Sequence, residues 1–353
     1  MAKLRIALIG AGTIARRYLS NINAIPDAEV VSICRRNASA VQAMAQEFKI
    51  PHCCTDYMDI LGDGSIDAVI VATPTVTHAP IVLEALKHGK HVLCEKPPAM
   101  TAEEAQACAD VAAKAGKLLM YGFVRRFNKV VNFLRDYVDS GAMGDIYYAE
   151  VARMARCNKI GGWFVDKTKS GGGMLMDACI HQIDTALYLM GYPKVKSVKG
   201  YTSYINSHLP RTVKGFSAGY MPVDKTPCER TAESVACGQV HFENGACLNI
   251  KASDVLNIVD EGSYVQLCGT MAGFKETGKE VKLVSLDGSG YILESTPVLT
   301  EEKKGMADEI AHFVDCCLNG TPCIIKPEQC VQLMQIMDAC YQSAEIGKPI
   351  IFE

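Results

Sequence analysis

The stretch ALIGAGTIARRY, Ala7 to Tyr18, constrains this chain more than any other. Apolar residues run from Leu4 to Ile9, glycines follow at Gly10 and Gly12, and an alanine stands at Ala15. This is the G-x-G-x-x-A order of a strand that turns through glycine into a helix. The glycines allow a tight turn and a close backbone approach. The helix start at Thr13 and Ile14 offers unpaired N–H groups and a positive dipole end to a pyrophosphate. Without such a ligand, the same residues would be a plain glycine turn between strand and helix.

The surroundings favour the nucleotide reading. Up to about Tyr121, the apolar runs LRIALI, EVVSIC, DAVIVA, HVLC and LLMYG alternate with helical patterns such as PIVLEALKHG, which predicts repeated βαβ units and a parallel sheet. Thr101 and Glu104 have capping-box spacing, and Gly116 supplies the helix stop. Beyond about residue 123 the pattern changes to strands such as IYYAEVAR and SYVQLCGT, with an Asn-Gly hairpin signal in FENGA, and it returns to helix over about 306–347. The expected fold is α/β. A Rossmann domain covers 1–122, and an α+β domain with an open, mostly antiparallel sheet covers 123–353. The closing helices are candidates to pack back toward the first domain.

A chain of 353 residues suits two domains. Its formal net charge of −3, without a run of like charge, gives no pull toward nucleic acid or an anionic membrane. No apolar run is long enough to span a bilayer. The 16 cysteines form no C-x-x-C and no paired metal-ligand spacing, and no signal peptide precedes the first strand, so free thiols, a reducing cytoplasm and no metal are expected. At the end of the second strand, Arg35 and Arg36 stand where an acidic residue would hold the adenosine ribose. A guanidinium suits a 2′-phosphate, so NADP is expected in preference to NAD, although a solvated arginine pair is the plainer alternative. Thr73 and Pro74 follow the fourth strand and should border the cofactor. His78 is a candidate for a ribose or phosphate contact, or else a capping or packing residue.

With the glycine loop, ATPTVTHAP and CEKPPAM in this order, then YGFVRRFN, GAMGDI and SGGGMLMDACIHQIDTALYLMG, the chain resembles the Gfo/Idh/MocA family of NAD(P)-dependent sugar and polyol oxidoreductases over nearly its whole length. The resemblance implies an active site in a cleft between a Rossmann domain and the open sheet domain. It also implies that Glu95, Lys96 and Pro97 bring the lysine to the nicotinamide. An ammonium there would stabilise charge developing on the substrate oxygen. A cis Lys96–Pro97 bond is compatible with this turn. Relatives use the sheet face for subunit contact, which implies a homodimer or homotetramer.

Asp177, His181 and Asp184, spaced by four and three, fall on one stripe of a helix whose apolar face is Ile180, Ile183, Leu187 and Met190. Imidazole exchanges protons near neutral pH, so His181 is the candidate general base. The family's D-x-x-x-H arrangement assigns Asp177 to orient the substrate hydroxyl or tune the histidine, with Asp184 behind them. A structural Asp-His-Asp ladder is the alternative. Cys179 departs from the glycine common in relatives. Trp163 is a candidate to stack on the sugar, and Arg126 to touch ligand or join the domains. The expected activity is hydride transfer between nicotinamide and a secondary alcohol of a sugar, inositol-like polyol or glycoside. Glycoside cleavage by transient oxidation and elimination, and a non-catalytic dinucleotide- and sugar-binding regulator, are the alternatives.

Overall fold

The computed structural model describes residues 3–156, 161–204, 230–278, 280–299 and 305–353. In chain order the strands and longer helices are β1 (Leu4–Ile9), α1 (Thr13–Ile22), β2 (Ala28–Cys34), α2 (Ala38–Phe48), β3 (His52–Cys54), α3 (Met58–Gly62), β4 (Ala68–Val71), α4 (His78–Lys87), β5 (His91–Cys94), α5 (Ala102–Ala115) and β6 (Leu119–Tyr121). They continue with α6 (Lys129–Asp139), β7 (Ile146–Met154), α7 (Lys167–Ser170), a π-helical turn (Leu175–Cys179) that runs into α8 (Ile180–Leu189), then β8 (Val195–Ser203), β9 (Val235–Phe242), β10 (Cys247–Ser253), β11 (Gly262–Gly269), β12 (Ala272–Glu276), β13 (Val281–Leu286), β14 (Ile292–Ser295), α9 (Met306–Asn319), α10 (Pro327–Ile346) and β15 (Ile350–Ile351). Two compact units form, one from Met1–Phe127 with Lys304–Met334, the other from Asn128–Lys303 with Gln335–Glu353.

The first unit holds a six-stranded sheet in the order β3-β2-β1-β4-β5-β6, every pair parallel. This is the doubly wound order, and its direction reverses between β1 and β4. Helices cover both faces of such a sheet, which is why β4 reads as an unbroken apolar run and is buried at all four positions. Strand β3 was not legible as an apolar run, because its three residues, His52 to Cys54, are largely exposed. The capping box of α5 forms in modified form: Thr101 Oγ1 accepts from the Glu104 N–H at 3.2 Å, while the Glu104 carboxylate accepts from the Met100 N–H at 2.9 Å. Gly116 takes the left-handed conformation at the end of that helix. Helix α9 returns to pack on α1 and β1.

The second unit holds a nine-stranded sheet, β14-β13-β12-β11-β7-β10-β9-β8-β15, in which β7 and β10 form a parallel pair and the other neighbours are antiparallel. The hairpin between β9 and β10 closes through Glu243–Gly245, with Gly245 at positive φ. Helix α8 covers β7 and β11 on one face. The other face carries Tyr148, Glu150, Lys251 and Tyr264, joined at Glu150, which accepts from Tyr148 and Tyr264 and pairs with Lys251 at 2.9 Å. Toward β12 and β13 this face becomes a groove bordered by Tyr147, Met271, Val284 and Leu286, all exposed. Cys94, Cys108, Cys179 and Cys340 are buried reduced thiols, whereas Cys53 and Cys237 are exposed.

Gly200 on β8 faces the backbone of α10: a Cβ there would overlap the Cys340 carbonyl. The Gly200 N–H donates to Ser343 Oγ at 2.9 Å, and that hydroxyl donates on to the Lys348 carbonyl at 2.6 Å. The overlap is with backbone, so no rotamer change relieves it. Gly200→Ala is expected to lower stability by about 2–4 kcal/mol, read as a shifted midpoint in urea. A shift within error would show that the β8–α10 approach is loose.

Candidate active site

Candidate residues lie in both units. In the first, Gly10 has φ near +103°, and a Cβ there would strike the Ala72 carbonyl, so glycine is required for conformation and for space. Gly12 is different: nothing stands within 4 Å of where its Cβ would be. It caps α1 without any side-chain hydrogen bond to the helix N-terminus. One glycine therefore closes the turn while the next leaves room beside Thr13 and Ile14, which is the cradle a pyrophosphate needs.

Beside this turn lies a pocket of about 350 Å³ lined by Ala11, Gly12, Thr13, Arg16, Arg35, Ala40, Ala43 and Met44. Arg35 donates from Nη1 to the Ala11 carbonyl at 3.0 Å, so its guanidinium is held at the glycine loop, while Arg36 is exposed and does not line the pocket. Thr73 and Pro74 sit just past the end of β4, where Thr73 Oγ1 accepts from Thr77 Oγ1 at 2.9 Å. His78 departs from its role as a candidate ribose or phosphate contact. It is buried, with Nδ1 2.8 Å from the Pro97 carbonyl and Nε2 2.9 Å from the Thr73 carbonyl. Both nitrogens are taken by backbone, so it ties the turn after β4 to the turn after β5. Burial lowers its pKa, and the two carbonyl contacts oppose that shift.

Lys96 is the second residue past the end of β5, and the Lys96–Pro97 bond is cis. Glu95 is the anchor. One carboxylate oxygen accepts from the Tyr18 hydroxyl of α1 at 2.9 Å and the other from the Lys96 N–H at 3.2 Å. Gly122 leaves the space in which this carboxylate sits. Burial pushes the Glu95 pKa up, opposed first by the Lys96 charge and then by the Tyr18 bond. Glu309 on α9, which no sequence pattern singled out, adds a second acid: it is 0% exposed, and neither carboxylate oxygen has a hydrogen-bond partner among the described residues. Burial and then the charge of Glu95 drive its pKa well above the usual carboxylate range. Arg126 bonds within its own unit: fully buried, it donates to the Ile324 backbone carbonyl at 2.9 Å and to Gln329 Oε1 at 2.7 Å.

In the second unit Asp177 lies in the π-helical turn and His181 in the first turn of α8, both half-buried. The wider π turn interrupts the α-helical register assumed for the Asp177–His181 stripe. Asp184, three residues beyond His181 in α8, is 0% exposed and accepts from the Tyr192 hydroxyl at 2.8 Å. Of the expected apolar face, Ile180, Ile183 and Leu187 are buried, and Met190, at the end of α8, is half-buried. Cys179 is buried, its thiol 3.8 Å from the Lys251 carbonyl. Trp163 is half-buried and stacks on Phe164 with ring centroids 3.8 Å apart.

Glu233 holds the glycine-rich approach to Asp177. It accepts from the N–H groups of Gly173 at 2.7 Å and Leu175 at 3.3 Å and from the Tyr341 hydroxyl at 3.0 Å, so it satisfies N–H groups that open the helical segment. A Cβ at Gly173 would strike the Glu233 carbonyl, which accounts for that glycine. Asp254 is buried and paired with Arg230. Burial raises its pKa, the Arg230 charge opposes this, and the Asp177 charge adds to it. Neither Glu233 nor Asp254 carries a local pattern by which the sequence could reveal it, since their partners lie 60, 108 and 24 residues away.

The doubly wound sheet and its glycine cradle define a dinucleotide-binding protein. A family model described as "Oxidoreductase family, NAD-binding Rossmann fold" matches residues 4–123, and its companion, "Oxidoreductase family, C-terminal alpha/beta domain", matches residues 135–352. The chain belongs to this Gfo/Idh/MocA family and is an NAD(P)-dependent oxidoreductase. It is 33% identical to D-glucoside 3-dehydrogenase of Escherichia coli (strain K12) over 98% of this chain and 96% of that one. It is 26% identical to scyllo-inositol 2-dehydrogenase (NAD(+)) of Bacillus subtilis (strain 168) over 99% and 96%. A levoglucosan dehydrogenase solved with NADH has the same fold, with a TM-score of 0.84 at 22% identity over 99% of both chains. No described helix is long and apolar enough to cross a membrane.

Glu309 generates a pH prediction. A carboxyl whose folded pKa is raised contributes fully below its unfolded value near 4.5, and this contribution is lost as pH rises toward the folded pKa. The uncharged, isosteric Glu309→Gln variant escapes that loss. Its Tm relative to the wild type is therefore expected to climb between pH 5 and pH 8; a difference that is flat or falls with pH would show that Glu309 is not strained by burial.

Proposed function

We propose that the chain oxidises a secondary alcohol of a sugar, inositol-like polyol or glycoside, with a glucoside oxidised at C3 as the first substrate to try. The similarity to D-glucoside 3-dehydrogenase along almost the whole chain supports this substrate class. The observation that carries the chemistry is Lys96 at the carboxyl end of β5, held by Glu95 beside the sheet whose β1–α1 turn forms the glycine cradle. Bound nicotinamide supplies the hydride acceptor. Lys96 places an ammonium on the substrate oxygen and stabilises the alkoxide charge that grows as hydride leaves carbon. His181 removes the hydroxyl proton, and Asp177 orients that hydroxyl and fixes the imidazole. Trp163 offers a ring to the apolar C–H face of the sugar.

Gly10, Gly12, Thr13, Ile14, Thr73, Pro74 and Glu95 line or support the dinucleotide site. Arg35, held at the glycine loop and lining the adjoining pocket, favours a 2′-phosphate and hence NADP over NAD. The exposed apolar groove on the nine-stranded sheet suits assembly into a homodimer or homotetramer. A cytoplasmic location fits the reduced thiols. Membership in an oxidoreductase family weighs against a non-catalytic regulator. Cleavage by transient oxidation would use the same residues, and it differs in leaving no net reduced nicotinamide.

A panel of glucosides, inositols and free sugars, assayed with NAD and NADP separately, tests the reading. Net reduction of nicotinamide with at least one member is expected, and no turnover on any would reject the substrate class. Lys96→Ala and His181→Ala should each lower kcat by about 10²–10⁴-fold while the dinucleotide Kd stays within a few-fold; wild-type turnover in both would remove the mechanism. Arg35→Ser should shift the NADP-to-NAD ratio of kcat/KM toward NAD by roughly 10- to 100-fold, the loss of one charged hydrogen bond. An unchanged ratio would show that Arg35 does not read the phosphate.

A further inference from the structure

Near the end of α9 the structure gathers three soft donors that the hydride chemistry does not use. His312 and Cys316 are four residues apart on one face of the helix. Gly320, at φ near +69°, ends α9 in the left-handed conformation, and the chain turns back to bring Cys323 to the same place. One ligand atom from each of His312, Cys316 and Cys323 lies within 4.8 Å of the other two. Cys316 is buried, while His312 and Cys323 are half-buried, so the cluster has access to solvent.

We propose that His312, Cys316 and Cys323 form a zinc(II) site, with two thiolates and one imidazole as ligands and the fourth position left to water. The geometry fits the ion. Bond lengths of about 2.3 Å to sulfur and 2.0–2.1 Å to nitrogen, at tetrahedral angles, place nitrogen and sulfur about 3.5 Å apart. Cys316 Sγ and His312 Nε2 are 3.4 Å apart. The tautomer fits too. The Ile324 N–H points at His312 Nε2 from 3.1 Å, so Nε2 is the nitrogen with the lone pair and the ring proton belongs on Nδ1. A cation would take that lone pair, and the Ile324 N–H, one residue beyond Cys323, would be freed to support a thiolate.

The frame around the cluster is fixed. Arg126 holds the Ile324 carbonyl, the His312 ring lies 5.5 Å from that of Phe127, and Cys323 Sγ lies 3.3 Å from the Ile325 carbonyl. Two thiolates balance the dipositive charge, and their two protons leave to solvent as the zinc–sulfur bonds form. The ion would clasp the end of α9 to the loop that follows it. This changes the expectation that the chain holds no metal, which rested on the lack of C-x-x-C spacing. Here the ligands are brought together by one helical turn and a glycine reversal.

The test uses the full chain, reduced with a phosphine, stripped with a chelator and titrated with Co²⁺. One Co²⁺ per chain is expected, with thiolate-to-cobalt charge-transfer absorption and tetrahedral d–d bands that stoichiometric Zn²⁺ abolishes. Cys316→Ser and Cys323→Ser should each weaken the charge-transfer band, and the double variant should lack it. Charge transfer that persists in the double variant, or Co²⁺ bound without it in the wild type, overturns the proposal. A second measurement needs no variant. Zn²⁺ should slow alkylation of the half-buried Cys323 at least tenfold, read by mass spectrometry, while Cys53 reacts as before. Equal alkylation with and without Zn²⁺ also overturns it.

Discussion

The first unit is organised around the half-buried carboxylate of Glu95. Glu95 accepts from Tyr18 on the helix that follows the glycine turn and from the amide of Lys96 beyond β5. A buried charge is costly unless its hydrogen bonds are supplied. Both donors are therefore locked to the same group. Helix α1 and the lysine cannot shift independently without uncovering it. His78 makes the companion tie, between the carbonyls of Thr73 and Pro97. The turns after β4 and β5 and the helix after the glycine turn are thus fixed to one another by side chains.

The second unit solves the same positioning problem by a different route. Its two candidate groups stand on the helical segment that opens after Gly171–Gly173, and Glu233 holds that opening by its N–H groups. The π turn over Leu175–Cys179 has the wider i→i+5 bonding, so the angular offset between Asp177 and His181 differs from that of an α-helix. Such turns disrupt regular helical bonding and are frequent at functional sites. Cys179, inside this turn, is packed against strand β10, while Asp177 is half-buried.

Much of the fold was legible because its signals are local. Gly10 and Gly12, the unbroken apolar β4, the Thr101–Glu104 cap and the Gly245 turn each declare themselves within a few residues. The fold class follows from their order. Strand β3 was silent, since its three largely exposed residues show no period. For the candidate site, the residue types of Lys96, Asp177 and His181 were visible, but their supports were not. Glu233 meets Tyr341, Asp254 meets Arg230, and Glu309 lies near Glu95 only because the chain returns from far away. A stripe drawn at 3.6 residues per turn also could not show that Asp184 is buried and taken by the Tyr192 hydroxyl. Periodicity cannot register a π turn.

The distribution of thiols has a chemical consequence for a chain with 16 cysteines. Burial pushes Cys34, Cys108 and Cys340 up to about 12. Nucleophilic attack on oxidants or electrophiles needs the thiolate, so these sulfurs are almost silent at neutral pH. Their number thus overstates their reactivity. Packing acts here as a protecting group, and it lets a thiol-rich interior persist without scrambling into disulfides.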